Sequence, residues 1–380
     1  MLTQVTSGMT DTNAQYYGFK SRIINGQMQI DQRNAGSAVT VNAANIFVVD
    51  RFKSTAVSNG WGGTAVFSGQ QNKGSVTPPT GFSNYLGLAT TTADTSIASN
   101  DSYDLVQRIE GFNTADLAWG TANAKTITVS FWVYTNLTGT FGGVILNSAY
   151  TRNYPFSYSV TTANTWQQIT LTIPGDTTGT WVGATNGIGL TLSWSLGAAS
   201  GVLSSSPNTW QTAASSGSYA YSGVTGQNQI CASTSNYFYL TGVQLEKGTQ
   251  ATSFDYRPYG TELQLCQRYY YQLPPWNSAN LPICTTYQRS STIAIGAMLF
   301  PVTMRGIPSI NVNSGTAYFH VSVGAGDFDA LTVGVEGGTY INKNGVSLTT
   351  TFASGSSTVG YAGELYLNAA GSILGFSAEL

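Results

Sequence analysis

Residues Tyr239–Tyr271, YLTGVQLEKGTQATSFDYRPYGTELQLCQRYYY, decide how the rest of the chain is read. Tyr239, Thr241, Val243 and Leu245 alternate with Leu240, Gly242, Gln244 and Glu246, the period-2 pattern of a strand with one face in a core. Lys247-Gly248 breaks the pattern. The stretch Phe254–Tyr259 then reads as a second short strand, and a new apolar run starts at Leu263. One β unit therefore ends near Tyr259-Gly260 and another begins beyond it.

Working outward, strand patterns recur upstream at Ile46–Phe52, Ala65–Phe67, Tyr85–Ala89, Asp104–Glu110, Ile127–Tyr134, Val144–Asn147, Phe156–Val160, Gln167–Ile173, Ile188–Ser195 and Tyr237–Leu245. Turns rich in Gly, Asn, Ser and Pro separate them, as in Lys73–Pro79 and Ile173–Asp176. Many short strands with frequent turn signals predict a jelly-roll β-sandwich over residues 19–258. The Gly/Ser/Thr tract Gly197–Gly226 carries no strand pattern and reads as a surface excursion. Residues 259–380 hold six more strand patterns: Thr292–Met298, Ser309–Val312, Thr316–Val323, Leu331–Val335, Val346–Thr351 and Glu364–Leu367. They predict a second, smaller β-sandwich-like distal domain or trimeric tip. The fold class expected is all-β. Residues 1–18 are polar and aperiodic, either a disordered terminus or an arm that orders on docking.

Composition narrows the function. Of 380 residues only 8% are charged, against roughly 25% in an average soluble protein, while 12% are aromatic. Enough apolar side chains remain to bury cores, which argues against disorder. A net charge of −2 with no basic cluster excludes an obvious nucleic-acid partner. No run of about 18 apolar residues predicts a membrane-inserted helix, and the N-terminus has neither the basic start nor the apolar stretch of a secretory signal. Three cysteines, Cys231, Cys266 and Cys284, lack metal-ligand spacing and are expected to be free, as in a chain folded in a reducing cytoplasm.

Catalytic patterns are sparse. The single histidine, His320, lies in the alternating run Ala317–Val321 and reads as an ordinary strand residue. No nucleophile elbow, zinc motif or P-loop occurs. Paired carboxylates for glycan cleavage would have to come from Asp94, Asp101, Asp104, Glu110 and Asp116, with carboxyl groups about 5–9.5 Å apart. We expect no catalytic residues. Aromatic chemistry is the positive feature, because the C–H faces of sugars stack on Trp and Tyr while their hydroxyls bond amides and carboxylates. Trp61, Trp181, Trp210 and Trp276 fall outside strand patterns and are the candidate ligand-binding residues. The alternative for each is a packing plug or subunit contact. Trp132, Trp166 and Trp194 lie on strand patterns and are expected in the core.

The wording VQLE-x-G-x-x-AT-x-F-x-x-RPYG-x-EL-x-x-CQRYY resembles bacteriophage and prophage virion proteins, chiefly tail fibres. Similar elements lie at Asn25–Arg33 (NGQMQIDQR), Val49–Phe52 (VDRF), Arg108–Gly111, Thr128–Val133, Thr165–Gln168, Phe300–Pro308 (FPVTMRGIP) and the final Ala378-Glu379-Leu380. The resemblance covers roughly residues 20–310 plus that tripeptide. It implies a carbohydrate-binding-like jelly roll, a virion location and a homo-oligomer, by analogy a trimer. The partners it implies are other virion proteins, reached through the N-terminal arm, and a host-surface glycan or protein. It also raises a structural calcium ion near Asp31, Asp50 and Asp255, but with no dense acidic loop in the sequence the leading expectation is no bound metal and no cofactor. The leading expectation is a non-enzymatic tail-fibre or similar appendage subunit. Its alternatives are a capsid decoration or head-fibre protein and a tail-associated glycan depolymerase.

Overall fold

The computed structural model describes residues 20–55, 57, 61, 63–98, 100–212, 220–273, 281–324, 326–353, 357–369 and 371–380. The expected arm, residues 1–18, and Trp276 lie outside them. The chain divides into two compact units, one ending at Pro258 and the other spanning Tyr259–Glu379.

The first unit is a sandwich of two six-stranded sheets. In the first sheet the order is β1 (Val39–Val41), β4 (Val66–Gln71), β5 (Leu86–Thr92), β14 (Tyr237–Lys247), β7 (Ile127–Thr135) and β10 (Gln167–Ile173). The second runs β2 (Phe47–Val49), β3 (Phe52–Thr55), β6 (Ser102–Glu110), β11 (Ile188–Ala198), β8 (Gly139–Leu146) and β9 (Asn153–Val160). Every neighbouring pair is antiparallel, and the chain passes repeatedly from one sheet to the other, as in a jelly roll. Between the sheets lie Phe52, Phe131, Phe156, Trp194 and Phe238, all buried. Trp194 meets Phe131 edge-on at 5.6 Å.

Strand β14 departs from the straight alternation read in the sequence. Its residue Thr241 pairs with Trp132 on β7, but the next pair is Gln244 with Ser130, so β14 carries one extra residue. A bulge of this kind exchanges the faces of all residues beyond it. Before it, Phe238 and Leu240 enter the core and Tyr237, Tyr239 and Thr241 point outward; after it, Val243 and Leu245 enter the core. Tyr239 therefore faces away from Val243 and Leu245. Gly242 makes the bulge possible. Its φ of 61° suits glycine, and a Cβ there would stand 2.7 Å from Phe82 and 2.8 Å from Trp132.

The family-like wording maps onto a clasp at the joined ends of this unit. Asn25 bonds the carbonyls of Ile30 and Asp50 and accepts from the Ile30 N–H, at 2.8–2.9 Å. Val243 N–H donates to Gly26 C=O and Arg22 N–H to Leu245 C=O, both at 2.9 Å, where β5 no longer pairs with β14. Glu246 accepts from the Thr252 N–H and hydroxyl, Gln244 accepts from the Asp255 N–H, and Arg257 donates to the Ile23 carbonyl. Residues 251–258 are coil, not the second short strand expected, because side chains rather than a strand ladder satisfy their backbone.

The Gly197–Gly226 tract is likewise not a simple surface excursion. Within it β12 (Leu203–Ser204) pairs in parallel with β13 (Gly223–Val224). Val202, Ser204, Ala220, Ser222 and Val224 are buried, and Ala220 packs with Val106, Val144 and Leu146 on the outer side of the second sheet. Small side chains lie flat on a sheet without needing an alternating pattern.

The second unit opens with helix α1 (Tyr259–Gln267). A three-stranded sheet follows the order β15 (Tyr270–Gln272), β23 (Leu374–Ser377), β18 (Ser309–Val312). Six further strands close into a barrel: β16 (Leu281–Ser290), β17 (Ile293–Leu299), β21 (Gly345–Phe352), β20 (Gly326–Val335), β19 (Phe319–Val323) and β22 (Ala362–Leu367), which returns to β16. Among its described residues the unit is all-β apart from α1 and a 3-10 turn at Glu336–Gly338, but a barrel replaces the smaller sandwich expected; closure removes the exposed edges that such short strands would leave. Here too the family-like motifs are ties. Phe300 packs on Phe376 at 4.9 Å, and Arg305 donates to the carbonyls of Ala378 and Glu379 at 2.6 and 2.9 Å.

Replacing Asn25 by Ala should strand the Ile30 N–H and the Asp50 carbonyl, leave the Ile30 carbonyl only its bond from the Asp50 N–H, and place an alanine at φ 61°. We expect a loss of about 2–4 kcal/mol in urea denaturation of the first unit; a loss below about 0.5 kcal/mol would contradict the clasp.

Candidate aromatic binding face

The bulge leaves an aromatic face on the outer side of the first sheet. Register places Gln70, Gly87, Tyr239 and Tyr134 in one row across β4, β5, β14 and β7, and Ser68, Ala89 and Tyr237 in the next. Tyr134 and Tyr239 are near-parallel, 6° between planes and 5.6 Å between centroids. Tyr237 lies 5.0 Å from Tyr239, and Tyr85 stacks on Tyr239 at 5.3 Å. Trp166, just before β10, completes the group at 5.3 Å from Tyr134 and 5.5 Å from Tyr85. Tyr134, Trp166 and Tyr237 are half-buried, so their rings present surface to solvent.

Polar groups fix these rings. Tyr237 donates its hydroxyl to the Asn164 side-chain carbonyl. Trp166 Nε1 donates to Thr77 C=O at 2.9 Å, and Tyr85 bonds the carbonyl of Lys73 and the N–H of Val76. The β4–β5 loop is thereby held against the face. Gly87 leaves room for it: a Cβ there would stand 2.6 Å from Lys73 Cβ and 3.0 Å from Tyr239. Burial, reinforced by the neighbouring tyrosines, pushes the Tyr239 phenol up to about 12. Burial also raises Tyr85 and Tyr237, so all three stay neutral donors in ordinary buffers.

The tryptophans singled out from the sequence lie elsewhere. Trp61 packs edge-on against Tyr103 at 5.0 Å and Phe67 at 6.0 Å at the border of the core. Trp181 and Trp210 meet Trp119 edge-to-face at 4.7 and 5.3 Å. All three indole N–H groups of that trio bond protein: Trp119 to Lys125 C=O, Trp181 to Asp176 and Thr178, and Trp210 to Pro174 C=O. Beside it a cleft of about 40 Å3 is lined by Leu117, Trp119, Trp181 and Val182. Trp194 is core, as expected, but Trp132 and Trp166 are half-buried on the outer face of the first sheet, which corrects their placement. The readable signal was aromatic residues on both faces of β7 and β14: Trp132 and Tyr134 alternate with Phe131 and Val133, and Tyr237 and Tyr239 with Phe238 and Leu240.

Of the candidate carboxylates, the two on β6 stand far apart. Asp104 and Glu110 are six residues apart on β6, roughly 20 Å at strand spacing, too far for a cleavage pair. Asp94 accepts from the Tyr103 hydroxyl at 2.6 Å. Asp101 is buried just before β6. Asp116 accepts from Arg22 at 2.7 Å and Lys247 at 3.2 Å; burial pulls it up, but those cations outweigh burial and hold it low. Of the residues raised for calcium, Asp31 accepts from the Asn34 and Gly36 N–H groups, Asp50 from Gln32, and Asp255 pairs with Arg257. Among the described residues no three His, Cys, Asp or Glu side chains group to hold a metal ion. His320 stands on β19 opposite Asp329 and Tyr366.

No protein-family model matches the chain, and neither does any curated protein. Among solved structures, the chain is similar to the enzymatically active domain of tailspike protein 4 of bacteriophage CBA120, at 10% identity and a TM-score of 0.31. That match covers 60% of this chain and 21% of that domain's chain. It is also similar to the family 11 carbohydrate-binding module of a Clostridium thermocellum cellulosomal cellulase, at 11% identity and a TM-score of 0.27, over 57% of this chain and 97% of the module. The fold described above rests on strand order and register, not on these likenesses.

Asp104 yields a pH prediction. It is fully buried on the covered side of the second sheet, where burial raises its pKa to about 6 against the hydroxyls of Ser102, Ser193 and Ser222 and the Val57 N–H. Ser222 belongs to the covering tract. A raised folded-state pKa means the folded state takes up the proton first, so stability grows as pH falls from 6 towards 4 and is lost on the way back. The stability of wild type relative to Asp104→Asn should rise by on the order of 2–3 kcal/mol between pH 7 and pH 4. A gap that is flat with pH, or that narrows on acidification, would refute this.

Proposed function

We propose that this chain is a non-enzymatic virion attachment subunit of the tail-fibre kind, which holds carbohydrate on the outer face of its first sheet. The observation that carries the carbohydrate reading is the group of half-exposed rings of Tyr134, Trp166 and Tyr237 beside Asn164, Gln70 and Gln168. A sugar offers C–H faces to such rings and hydroxyls to such amides, and the face supplies both within one span. Neutral phenols and fixed rings reduce the ordering cost of binding.

The virion reading rests on the ordered sequence resemblance. Its motif residues recur as the clasp of the first unit and the terminal ties of the second, which is the behaviour of an architectural signature. Binding without cleavage is favoured by the separation of the β6 carboxylates. Exposed apolar side chains on the second unit, including Leu299 at 82% and Ile307 at 67%, favour association with further subunits. Linked copies would add avidity to individually weak sites.

The test is retention on an array of bacterial surface polysaccharides. Wild type should be retained by at least one of them. Tyr134→Ala and Trp166→Ala should each weaken that retention by roughly tenfold or more. Trp210→Ala should cost about 2–3 kcal/mol of stability yet leave retention unchanged. Retention insensitive to Tyr134 and Trp166, but lost with Trp210, would move the site to the tryptophan trio. Turnover of the retained polysaccharide would contradict the non-enzymatic reading.

A further inference from the structure

The floor of the aromatic face is asymmetric. On one side stand Tyr237 and Tyr239. On the other stands Lys73, carried over Gly87 by the β4–β5 loop, with Nζ donating to Ser68 Oγ at 2.8 Å. Lys73 covers Gly87, and beside it the floor is the half-buried Ala89, so the row Ser68–Ala89–Tyr237 forms a trough walled by an ammonium and a ring. Two features set the chemistry of this trough.

The first is that Lys73 supplies its charge. The side chains that the other strands point to this stretch of the face are Ser, Gln, Ala, Thr, Tyr and Trp, none of them ionised in neutral buffer. Among the described residues no carboxylate pairs with Lys73. In a chain with 15 basic and 17 acidic residues, most other cations of this unit do have such partners or bond backbone carbonyls. An ammonium has three N–H donors, and Ser68 takes one.

The second is that Lys73 is placed rather than loose. Asn72, Gly74 and Ser75 all take left-handed backbone angles, φ 56°, 75° and 53°. That local cost is met by the Tyr85 bonds to Lys73 C=O and Val76 N–H and by Tyr85 N–H donating to Asn72. The loop conformation that brings the ammonium over the floor is therefore fixed from below by a fully buried tyrosine.

We infer that this face selects acidic glycans, with a sugar ring against Tyr237 and its carboxylate on Lys73. The inference rests on the carbohydrate reading above and adds the charge of the ligand. The probes are polygalacturonate, alginate, hyaluronan and polysialate, each beside its carboxyl-reduced neutral form, with poly-glutamate as a polyanion lacking sugar. Wild type should hold at least one acidic polymer roughly three- to tenfold more tightly than its reduced form. That preference should shrink as salt rises. Lys73→Gln should erase the preference while keeping affinity for the reduced form. Equal binding of both forms, a preference that survives Lys73→Gln, or equal binding of poly-glutamate overturns the inference. If both forms bind equally and Tyr134→Ala abolishes both, the carbohydrate reading stands and only the charge selection falls. If no polymer of either form is held, on these probes or on the surface-polysaccharide array, both fall.

Discussion

One extra residue in β14 determines what the first unit presents to solvent. Without the bulge at Gly242, a strand with Val243 and Leu245 in the core would also send Tyr237, Tyr239 and Thr241 inward. The outer face would then receive Phe238 and Leu240, and the core would have to enclose phenol hydroxyls without partners. With the bulge, two successive faces of the same strand can be apolar inside and aromatic outside. The Tyr237 hydroxyl then donates to Asn164 instead. The clasp at the N-terminal segment holds the second half of β14, and the Tyr85-anchored loop covers part of the first. The aromatic face lies between them.

This arrangement separates two uses of aromatic residues that look alike in composition. The trio Trp119, Trp181 and Trp210 packs edge-to-face with each indole N–H bonded to protein, which pins the loops around Asp176. The Arg152–Asp176 pair, at 2.7 Å, fixes the same loops; burial raises Asp176, and the Arg152 guanidinium more than offsets that. On the first sheet, by contrast, near-parallel rings stand side by side on a regular ladder, and their spacing repeats with the strands. A ladder gives a ligand a periodic surface, whereas a mutual plug gives it little beyond a shallow cleft.

Much of the fold was legible. Gln167–Ile173 and Ser309–Val312 coincide with β10 and β18, since alternating β-branched residues between turn signals leave little choice. Strands that do not alternate were missed. In β16, Thr286 and Gln288 are buried while Tyr287 is exposed, the reverse of a simple apolar pattern. Val39–Val41 is too short to carry a period, and Leu374–Ser377 (LGFS) has no alternating β-branched residues. Helix α1 was missed because its apolar positions, Leu263, Leu265 and Cys266, do not form one clear stripe. The aromatic face was half legible: the aromatic alternation was in the sequence, but a single-residue bulge cannot be read from a period, and it reverses which aromatics face out. The loop tryptophans Trp181 and Trp210 instead pin their own loops through their indole N–H groups.

The most direct test is a 15N-tryptophan NMR titration, following the eight indole N–H resonances as a bound polysaccharide fragment is added. A carbohydrate on the outer face of the first sheet predicts shifts at Trp166 and Trp132, with Trp119, Trp181, Trp194 and Trp210 unmoved. Shifts confined to Trp119, Trp181 and Trp210 would contradict the account and place the ligand at the tryptophan trio.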